Sequence, residues 1–317
     1  MSSQPLPTLW RTKLRSTLVP GDDVQLDYCL DKGVVGIGWW ADTVTSGSGE
    51  KKLNAVCRKV EEAEGTGWGK RAANTLRRFA TEVQPGDFIW TRDTHGNYRL
   101  GKFLDAPWEY LDPKEHPEVK VVDLQQQRKV RWLPHEFPSS EVPGAVIRSF
   151  VGRSTSFQRV KSEGARDYTR LILWPKHSRG KVRPIDIPHE SVLSDHLDMY
   201  EVEDLVFMWL QAERGYLILP TSRQHGTPVF EWEMVHKKSG NSAYPQVKTG
   251  ESAVNWDALA AAAKGQGDKI FAFQSRSNYD GKRPRNGREI RANELIAFAT
   301  SSLGKKLLPE RITNWFQ

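Results

Sequence analysis

Two carboxylates, an amide and a lysine lie close together in one part of the chain, between residues 200 and 250. Residues 229–235 and 243–249 alternate apolar and polar side chains, which predicts two short strands joined by a turn at residues 238–242. Because side chains alternate along a strand, Glu231 shares a face with Glu233, and Gln246 shares a face with Lys248. Acid and amide oxygens beside a lysine can hold a divalent metal against a phosphodiester. The pattern therefore predicts a metal-dependent site for phosphoryl chemistry.

The loop between the two strands decides how these four side chains meet. A loop of two residues pairs Glu231 with Lys248 and Glu233 with Gln246. A loop of four residues shifts the pairing but keeps all four on one face, whereas an odd loop without a bulge separates them. An ordinary solvated sheet surface has the same composition, and the sequence leaves that alternative open.

A helix predicted over residues 200–211 supplies a third acid. Glu203 falls at helical spacing on an apolar stripe, whose other members are Tyr200, Val206, Phe207 and Leu210. A carboxylate in such a place costs several kcal/mol unless it is paired or bound to a metal. Glu201 and Asp204 are expected to face solvent.

The order of these residues resembles the PD-(D/E)XK nuclease superfamily: a helix glutamate, a strand acid, then Gln-x-Lys on the next strand. The resemblance covers about residues 195 to 300 and is closest to Mrr-like restriction endonucleases, which have Gln in the third position. It implies that Glu231 (or Glu233, if the register differs) binds the metal, that Gln246 completes the shell and that Glu203 binds or orients the metal or a water. Lys248 would position the attacking water and stabilise charge on the phosphate. The implied cofactor is Mg²⁺, with Mn²⁺ as a substitute, and the number of metal ions is left open because Gln replaces an acid.

Composition indicates a soluble chain of two domains. It has 317 residues, of which 38% are hydrophobic, and a mean hydropathy of −0.60. No apolar run is long enough to cross a bilayer, and the first residues lack the pattern of a signal peptide. Cys29 and Cys57 form neither a disulfide framework nor a metal motif. We therefore expect a cytoplasmic protein that does not bind membranes.

Charge points weakly to a polyanionic partner. The net charge is +7, and two turn-rich basic clusters are candidates for phosphate binding. Their cations are Arg179, Lys181 and Arg183 in the first cluster and Lys282, Arg283 and Arg285 in the second. Each cluster is equally well explained as a solvated loop.

The first half of the chain, residues 1–157, is predicted to form a small β-barrel with flanking helices. Strands are expected over residues 34–40, 88–91, 98–103, 119–124, 128–133 and 145–150, and helices over 51–62 and 70–82. The Gly-Ile-Gly-Trp strand followed by Pro-Gly-Asp-Phe resembles the PUA-like group that includes EVE and YTH domains. That resemblance implies a pocket for a modified or flipped base, and the candidates for stacking are Trp39, Trp40, Trp90 and Trp108. Packing in the core is the alternative for each tryptophan.

Residues 158–194 are expected to connect the domains, with one apolar strand at 168–174, and residues 195–317 to form the second domain. Helices and strands alternate there in an αββαβα order, which predicts a restriction-endonuclease-like α/β sandwich around a mixed sheet. The whole chain is then expected to be a modification-dependent, type IV-like DNA endonuclease that acts on double-stranded DNA carrying a modified base. Double-strand cutting would imply a homodimer. Two alternatives stay open: a nucleic-acid reader with an inactive nuclease fold, and an RNA-processing or repair nuclease.

Overall fold

The computed structural model describes residues 5–14, 23–64, 67–151, 155–178, 186–225, 230–263, 265 and 267–317. The chain divides into two compact units, and each is a mixture of helices and strands. The first unit contains Met1–Lys161 and Lys176–Gly180, and the second contains Ser162–Pro175 and Lys181–Gln317. Within the described residues, no helix combines the length and the apolar character that a membrane span requires.

The described residues of the first unit form seven strands and five helices. In chain order they are β1 (Leu9–Thr12), α1 (Val24–Lys32), β2 (Val34–Ile37), α2 (Glu50–Glu64), α3 (Trp68–Thr81), β3 (Phe88–Arg92), β4 (Tyr98–Phe103), β5 (Glu109–Tyr110), α4 (Pro117–Val122), β6 (Gln126–Trp132), α5 (Gly144–Ser149) and β7 (Phe157–Arg159).

The strands of the first unit form one curled, half-barrel sheet in the order β2-β6-β4-β3-β1-β7, with β5 beside β6. The β3–β4 hairpin forms because the Asp93 carboxylate accepts the Asn97 backbone N–H at 2.7 Å, which closes the predicted turn. At Gly101 a Cβ atom would lie 2.4 Å from Val130 Cγ1, so only glycine lets β4 approach β6 this closely. Helices α2 and α3 contribute buried residues to the same core as Trp10 and Phe157, whose rings stack at 4.9 Å.

The second unit contains the remaining helices and strands. In chain order they are α6 (Glu163–Tyr168), α7 (Trp174–His177, whose last two residues belong to the first unit), α8 (His189–Ser191), α9 (Met199–Arg214), β8 (Tyr216–Ile218), β9 (Met234–His236), β10 (Ser242–Lys248), β11 (Val254–Asn255), α10 (Trp256–Ala262), β12 (Lys269–Gln274), β13 (Tyr279–Asp280), β14 (Gly287–Glu289), α11 (Ala292–Thr300), α12 (Ser302–Leu307) and α13 (Glu310–Thr313).

A mixed five-stranded sheet in the order β14-β12-β10-β9-β8 is the centre of the second unit. The first three strands along the chain, β8, β9 and β10, are antiparallel neighbours. After α10, β12 adds parallel to β10, and β14 adds parallel to β12. The mixed sheet that the sequence predicts is present, with β8 and β14 as strands that the predicted order left out.

Three segments predicted as strands are helical. Residues 119–124 fall largely in α4, which starts at Pro117 and ends at Asp123 in the left-handed region with φ 52°. Residues 145–150 fall largely in α5, which follows Pro143. Residues 168–174 continue α6 as a π-helical turn, because the Ser162 hydroxyl caps the start of α6 and buried residues recur at helical spacing. Short apolar runs of this length suit either element.

Residues of the predicted connector, 158–194, fall in both units. Ser162–Pro175 belong to the second unit as helices, and Lys176–Gly180 belong to the first. The division between the units falls after Lys161, a few residues beyond the predicted boundary at 157.

Candidate active site

The end of β10 brings Lys248 and Glu231 into contact. Lys248 Nζ donates to Glu231 Oε1 at 2.9 Å, and the two side chains remain 29% and 24% exposed. Lys248 is the last residue of β10, and Glu231 precedes β9 in a segment without regular secondary structure. A carboxylate and a lysine therefore meet where the strand opens to solvent.

The turn of this hairpin has four residues, the alternative that keeps the predicted side chains on one face. Val235 lies opposite Ser242, and the His236 N–H donates to the Asn241 carbonyl, which leaves residues 237–240 as the loop.

Glu231 and Glu233 do not stand on a strand, contrary to the prediction for residues 229–235. The ladder ends at Met234 opposite Ala243, and residue 229 lies outside the described residues. Pro245 has no N–H to donate, so the ladder cannot continue in its usual pattern. The Glu231 N–H donates to the Pro245 carbonyl at 3.0 Å, which still holds this segment against β10.

Gln246 stands two residues before Lys248 and shares its side of β10. Its side chain is 5% exposed. The Glu231 backbone is bound to Pro245, the residue before Gln246, and the Glu231 carboxylate is bound to Lys248, two residues after it. The hairpin thus places an acid, an amide and a lysine at one end of the strand.

Glu233, the alternative strand acid, is held elsewhere. Its carboxylate accepts the Ser242 hydroxyl at 3.1 Å, and its backbone N–H donates to the Ser222 hydroxyl at 3.0 Å. Ser242 is the first residue of β10 and Lys248 the last. Glu231 is therefore the acid of this pair that meets the lysine.

Glu203 lies at the edge of the buried stripe of α9 and not within it. The buried residues of that helix are Glu201, Val202, Leu205, Val206, Phe207, Trp209 and Leu210, whereas Glu203 is partly exposed. Phe207, one turn later, packs edge-on against Trp232 at 5.1 Å, which sets α9 beside the segment that carries Glu231. Glu203 therefore lies one turn before the residue through which α9 contacts this segment.

The prediction that Glu201 faces solvent is wrong. Glu201 is 2% exposed, and its carboxylate accepts the Asp198 backbone N–H at 2.9 Å while Asp198 accepts the Glu201 N–H at 3.0 Å. This reciprocal pair is a capping box, which fixes the start of α9.

Gln274, which the sequence analysis did not single out, ties together the loops that follow β10 and β12. It lies opposite Lys248, and its amide donates to the Gly250 and Ser252 carbonyls at 2.7 and 3.0 Å. Arg276 follows in the same loop and pairs with Asp195 at 2.9 Å. A Gln at a strand end carries no sequence signal for this role, which depends on loops brought together by the fold.

Among the predicted phosphate-binding cations that the structure describes, Arg285 lies away from the Lys248 end of the sheet. Arg285 lines a cavity of about 390 Å³ with Arg214, Lys269 and Arg288. Lys269 lies opposite Ala243, at the other end of β10 from Lys248, so this basic cavity is roughly 16 Å away at the usual strand rise. Lys282 and Arg283 are exposed, and Arg179, Lys181 and Arg183 lie outside the described residues.

The four candidate tryptophans of the first unit occupy different environments. Trp90 is fully buried and packs edge-on against Phe137 at 5.2 Å, so it is a core residue. Trp39 has φ 78°, follows β2 and packs partly buried against the core. Trp40 is 41% exposed, with the ammonium groups of Lys114 and Lys120 5.8 and 5.9 Å from its ring.

Trp108 is 4% exposed and belongs to the buried core, and it also lines a cavity. The cavity measures about 630 Å³, and its wall includes Glu50, Asp105, Trp108 and Arg128. Arg128 donates to the Ala80 carbonyl at 2.9 Å, and burial lowers the pKa of its guanidinium. Asp87, by contrast, is a structural turn residue, because its carboxylate accepts the Trp10 indole N–H at 2.8 Å.

Comparison with known proteins bears on the first unit. Residues 10–147 match the family described as "Domain of unknown function (DUF8426)". No curated protein and no solved structure matches the chain.

Proposed function

We propose that the second unit hydrolyses phosphodiester bonds of DNA in a Mg²⁺-dependent reaction, and that the first unit reads a modified base. The observation that carries the proposal is the 2.9 Å contact of Lys248 with Glu231 at the end of β10, where Gln246 stands two residues earlier on the same face of the strand. These are the side chains that a phosphodiesterase site needs: oxygen donors for a hard cation and a fixed positive charge.

The topology of the second unit supports this proposal. A helix (α9) precedes three antiparallel strands (β8 to β10), and a second helix (α10) leads to a strand parallel to the third. This order resembles the core of PD-(D/E)XK nucleases, in which the acid and the lysine come from the second and third strands.

The donor set fits Mg²⁺ or Mn²⁺. The carboxylate of Glu231, the side-chain carbonyl of Gln246 and the carboxylate of Glu203 are oxygen donors, which these ions prefer over softer ligands. A cation held there would lower the pKa of a bound water and neutralise charge on the phosphate. One or two carboxylates leave room for waters and a phosphate oxygen, as is usual for Mg²⁺.

Lys248 acts as the positive group of the proposed site. In the free protein its ammonium group is held by Glu231, which fixes its position at the strand end. With DNA bound, the same group positions the attacking water and stabilises charge that grows on the phosphate oxygens. The partial exposure of both side chains leaves access for a polymeric substrate.

The first unit would supply base recognition through the cavity beside Trp108. Its volume of about 630 Å³ falls in the range of small-molecule sites. The part of the Trp108 indole that borders the cavity would contact a base, and Asp105 and Arg128 offer polar groups nearby. Trp40, exposed beside two lysines, is suited to contact the nucleic acid outside the cavity.

Cleavage assays test the proposal directly. Plasmid DNA with methylated or hydroxymethylated cytosine, methylated adenine or no modification, and a structured RNA, are incubated with the full chain in Mg²⁺ or in EDTA. We expect cutting of one modified DNA in Mg²⁺, none in EDTA, and a loss of at least about 100-fold in Lys248→Ala. Lys238→Ala, which changes an exposed lysine of the same hairpin, is the matched control and should cut normally.

Other outcomes separate the alternatives. Tight binding of modified DNA without any metal-dependent cleavage would identify a reader with an inactive nuclease fold. Preferential cleavage of RNA would favour an RNA-processing enzyme. Cleavage that survives in Lys248→Ala would remove the proposed site.

A further inference from the structure

Three ligand-type side chains converge in the first unit: His135 and Glu141, six residues apart, and the more distant His177. His135 follows β6, Glu141 lies in the turn before α5, and His177 is the last residue of α7. All three belong to the first unit. One ligand atom from each lies within 4.8 Å of the others.

The distances match coordination of one ion better than hydrogen bonding. His135 Nε2 is 3.5 Å from Glu141 Oε1, and His177 Nε2 is 3.6 Å from Glu141 Oε2. Good hydrogen bonds between nitrogen and oxygen are shorter than this. Ligands of a tetrahedral zinc ion stand about 3.3 Å apart for bonds of about 2.0 Å. Small side-chain shifts would therefore place one ion among the three groups.

Burial leaves these atoms without other partners. His135 Nε2, Glu141 Oε2 and His177 Nε2 are buried, and within the described part of the chain none has a hydrogen-bond partner. Glu141 is 7% exposed. An ionised carboxylate in such a place is costly unless a positive charge compensates it.

The two imidazoles do not readily supply that positive charge. Their rings stack at 4.0 Å with an interplanar angle of 18°, so two imidazolium ions would repel each other at short range. Neutral imidazole is the form that binds metals.

An aromatic frame holds the rings in place. Phe137 packs edge-on against His135 at 4.5 Å and against His177 at 5.0 Å, and Trp90 supports Phe137 from the core. The side chain of His135 remains 35% exposed, which leaves an entry path for an ion.

We propose that His135, Glu141 and His177 form a binding site for a divalent transition-metal ion, with zinc as the ion that suits the donors best. Two imidazole nitrogens and one carboxylate oxygen are common zinc ligands, and three protein ligands leave a fourth position for water or another ligand. The ion would join Lys176–Gly180, the segment that rejoins the first unit, to the loop that carries His135 and Glu141. This site is separate from the oxygen-donor site of the second unit.

Zinc binding to the full chain tests the inference. Protein stripped with a chelator is titrated with Zn²⁺ by calorimetry and with Co²⁺ by visible absorption. We expect one tight equivalent, an absorption spectrum typical of tetrahedral cobalt, and a rise in Tm with zinc, because a ligand that binds only the folded state stabilises it.

Variants locate the ion. His177→Ala and the nearly isosteric Glu141→Gln should each weaken binding by more than about 100-fold, beyond the usual effect of changes around a metal site. His95→Ala, which changes an exposed histidine of the same unit, and Lys248→Ala should bind zinc as the parent does. Circular dichroism confirms that each variant is folded. Absence of a tight equivalent, or unchanged binding in folded Glu141→Gln, would overturn the proposal.

Discussion

In the second unit the Glu231–Lys248 pair stays partly exposed at the end of β10, whereas in the first unit the ligand atoms of His135, Glu141 and His177 are buried. The exposed pair satisfies its charges internally at 2.9 Å and stays accessible to a large polyanion. The buried group has its ligand atoms too far apart to satisfy one another and too enclosed for a polymer. The exposed pair therefore suits a polymeric substrate and the buried group suits a single ion, because the degree of burial limits what can reach each group.

Truncation of Trp90 should have the largest effect on the first unit. Trp90→Ala removes a fully buried ring and should lower the free energy of unfolding by about 3–5 kcal/mol. Because Trp90 supports Phe137, the folded variant should also bind zinc more weakly. Trp40→Ala, at an exposed ring, should change stability by less than about 0.5 kcal/mol. Urea unfolding of the two variants checks this, and equal losses would contradict the core position of Trp90.

Loss of Glu231 or Lys248 should lower the cleavage rate strongly and change the free energy of unfolding only slightly. Glu231→Ala and Lys248→Ala should each lower the cleavage rate by about 100-fold or more, yet change the unfolding free energy by less than about 1 kcal/mol. The double variant should be hardly slower than either single one, because the residues act as a unit. A double variant that shows the full product of the two losses would mean that they act independently.

The cavity beside Trp108 should control discrimination between bases. Trp108→Ala should reduce the preference for modified over plain DNA by about 10-fold, the lower range for loss of one stacking contact. Trp40→Ala should weaken both DNAs alike and leave the ratio unchanged. Fluorescence anisotropy on folded proteins measures both affinities. An unchanged ratio in Trp108→Ala would exclude this cavity as the base pocket.

The smallest effect is expected at the start of α9. Asp198→Ala removes the side chain that accepts the Tyr200 and Glu201 N–H groups and should cost about 1 kcal/mol. Glu213→Ala, at an exposed acid near the other end of the helix, should cost less than about 0.5 kcal/mol. Thermal unfolding of both variants provides the comparison.

Long periodic elements could be predicted from the sequence. Helix α9 and the strands β10 and β12 lie within a few residues of the predicted bounds, because periodicity, apolar runs and turn residues agree there. The β3–β4 hairpin was predicted from its turn, and Asp93 closes that turn as expected. The sequence predicts strands at 119–124 and 145–150 because these segments contain β-branched residues, which favour strands. The prolines before them, which mark the starts of helices, were given less weight.

The candidate site could be predicted only in part from the sequence. The one-face relation of Gln246 and Lys248 follows from strand alternation. The pairing of Glu231 with Lys248 was expected from a two-residue loop, whereas the loop has four residues and the contact forms beyond the end of the ladder. The ladder ends at Met234 because Pro245 has no N–H to donate and because the Glu233 backbone N–H donates to the Ser222 hydroxyl instead. No short motif links His135, Glu141 and His177, so only the fold reveals that they meet.

The choice between the two strand acids gives the most direct test of the central claim. Single-turnover cleavage of the preferred DNA in Mg²⁺ is measured for Glu231→Gln and Glu233→Gln, which remove one negative charge each with little change of shape. The structure predicts that Glu231→Gln loses about 100-fold or more, while Glu233→Gln, bound to Ser242 at the far end of β10, stays near the parent rate. Full activity in Glu231→Gln with loss in Glu233→Gln would contradict the proposed site.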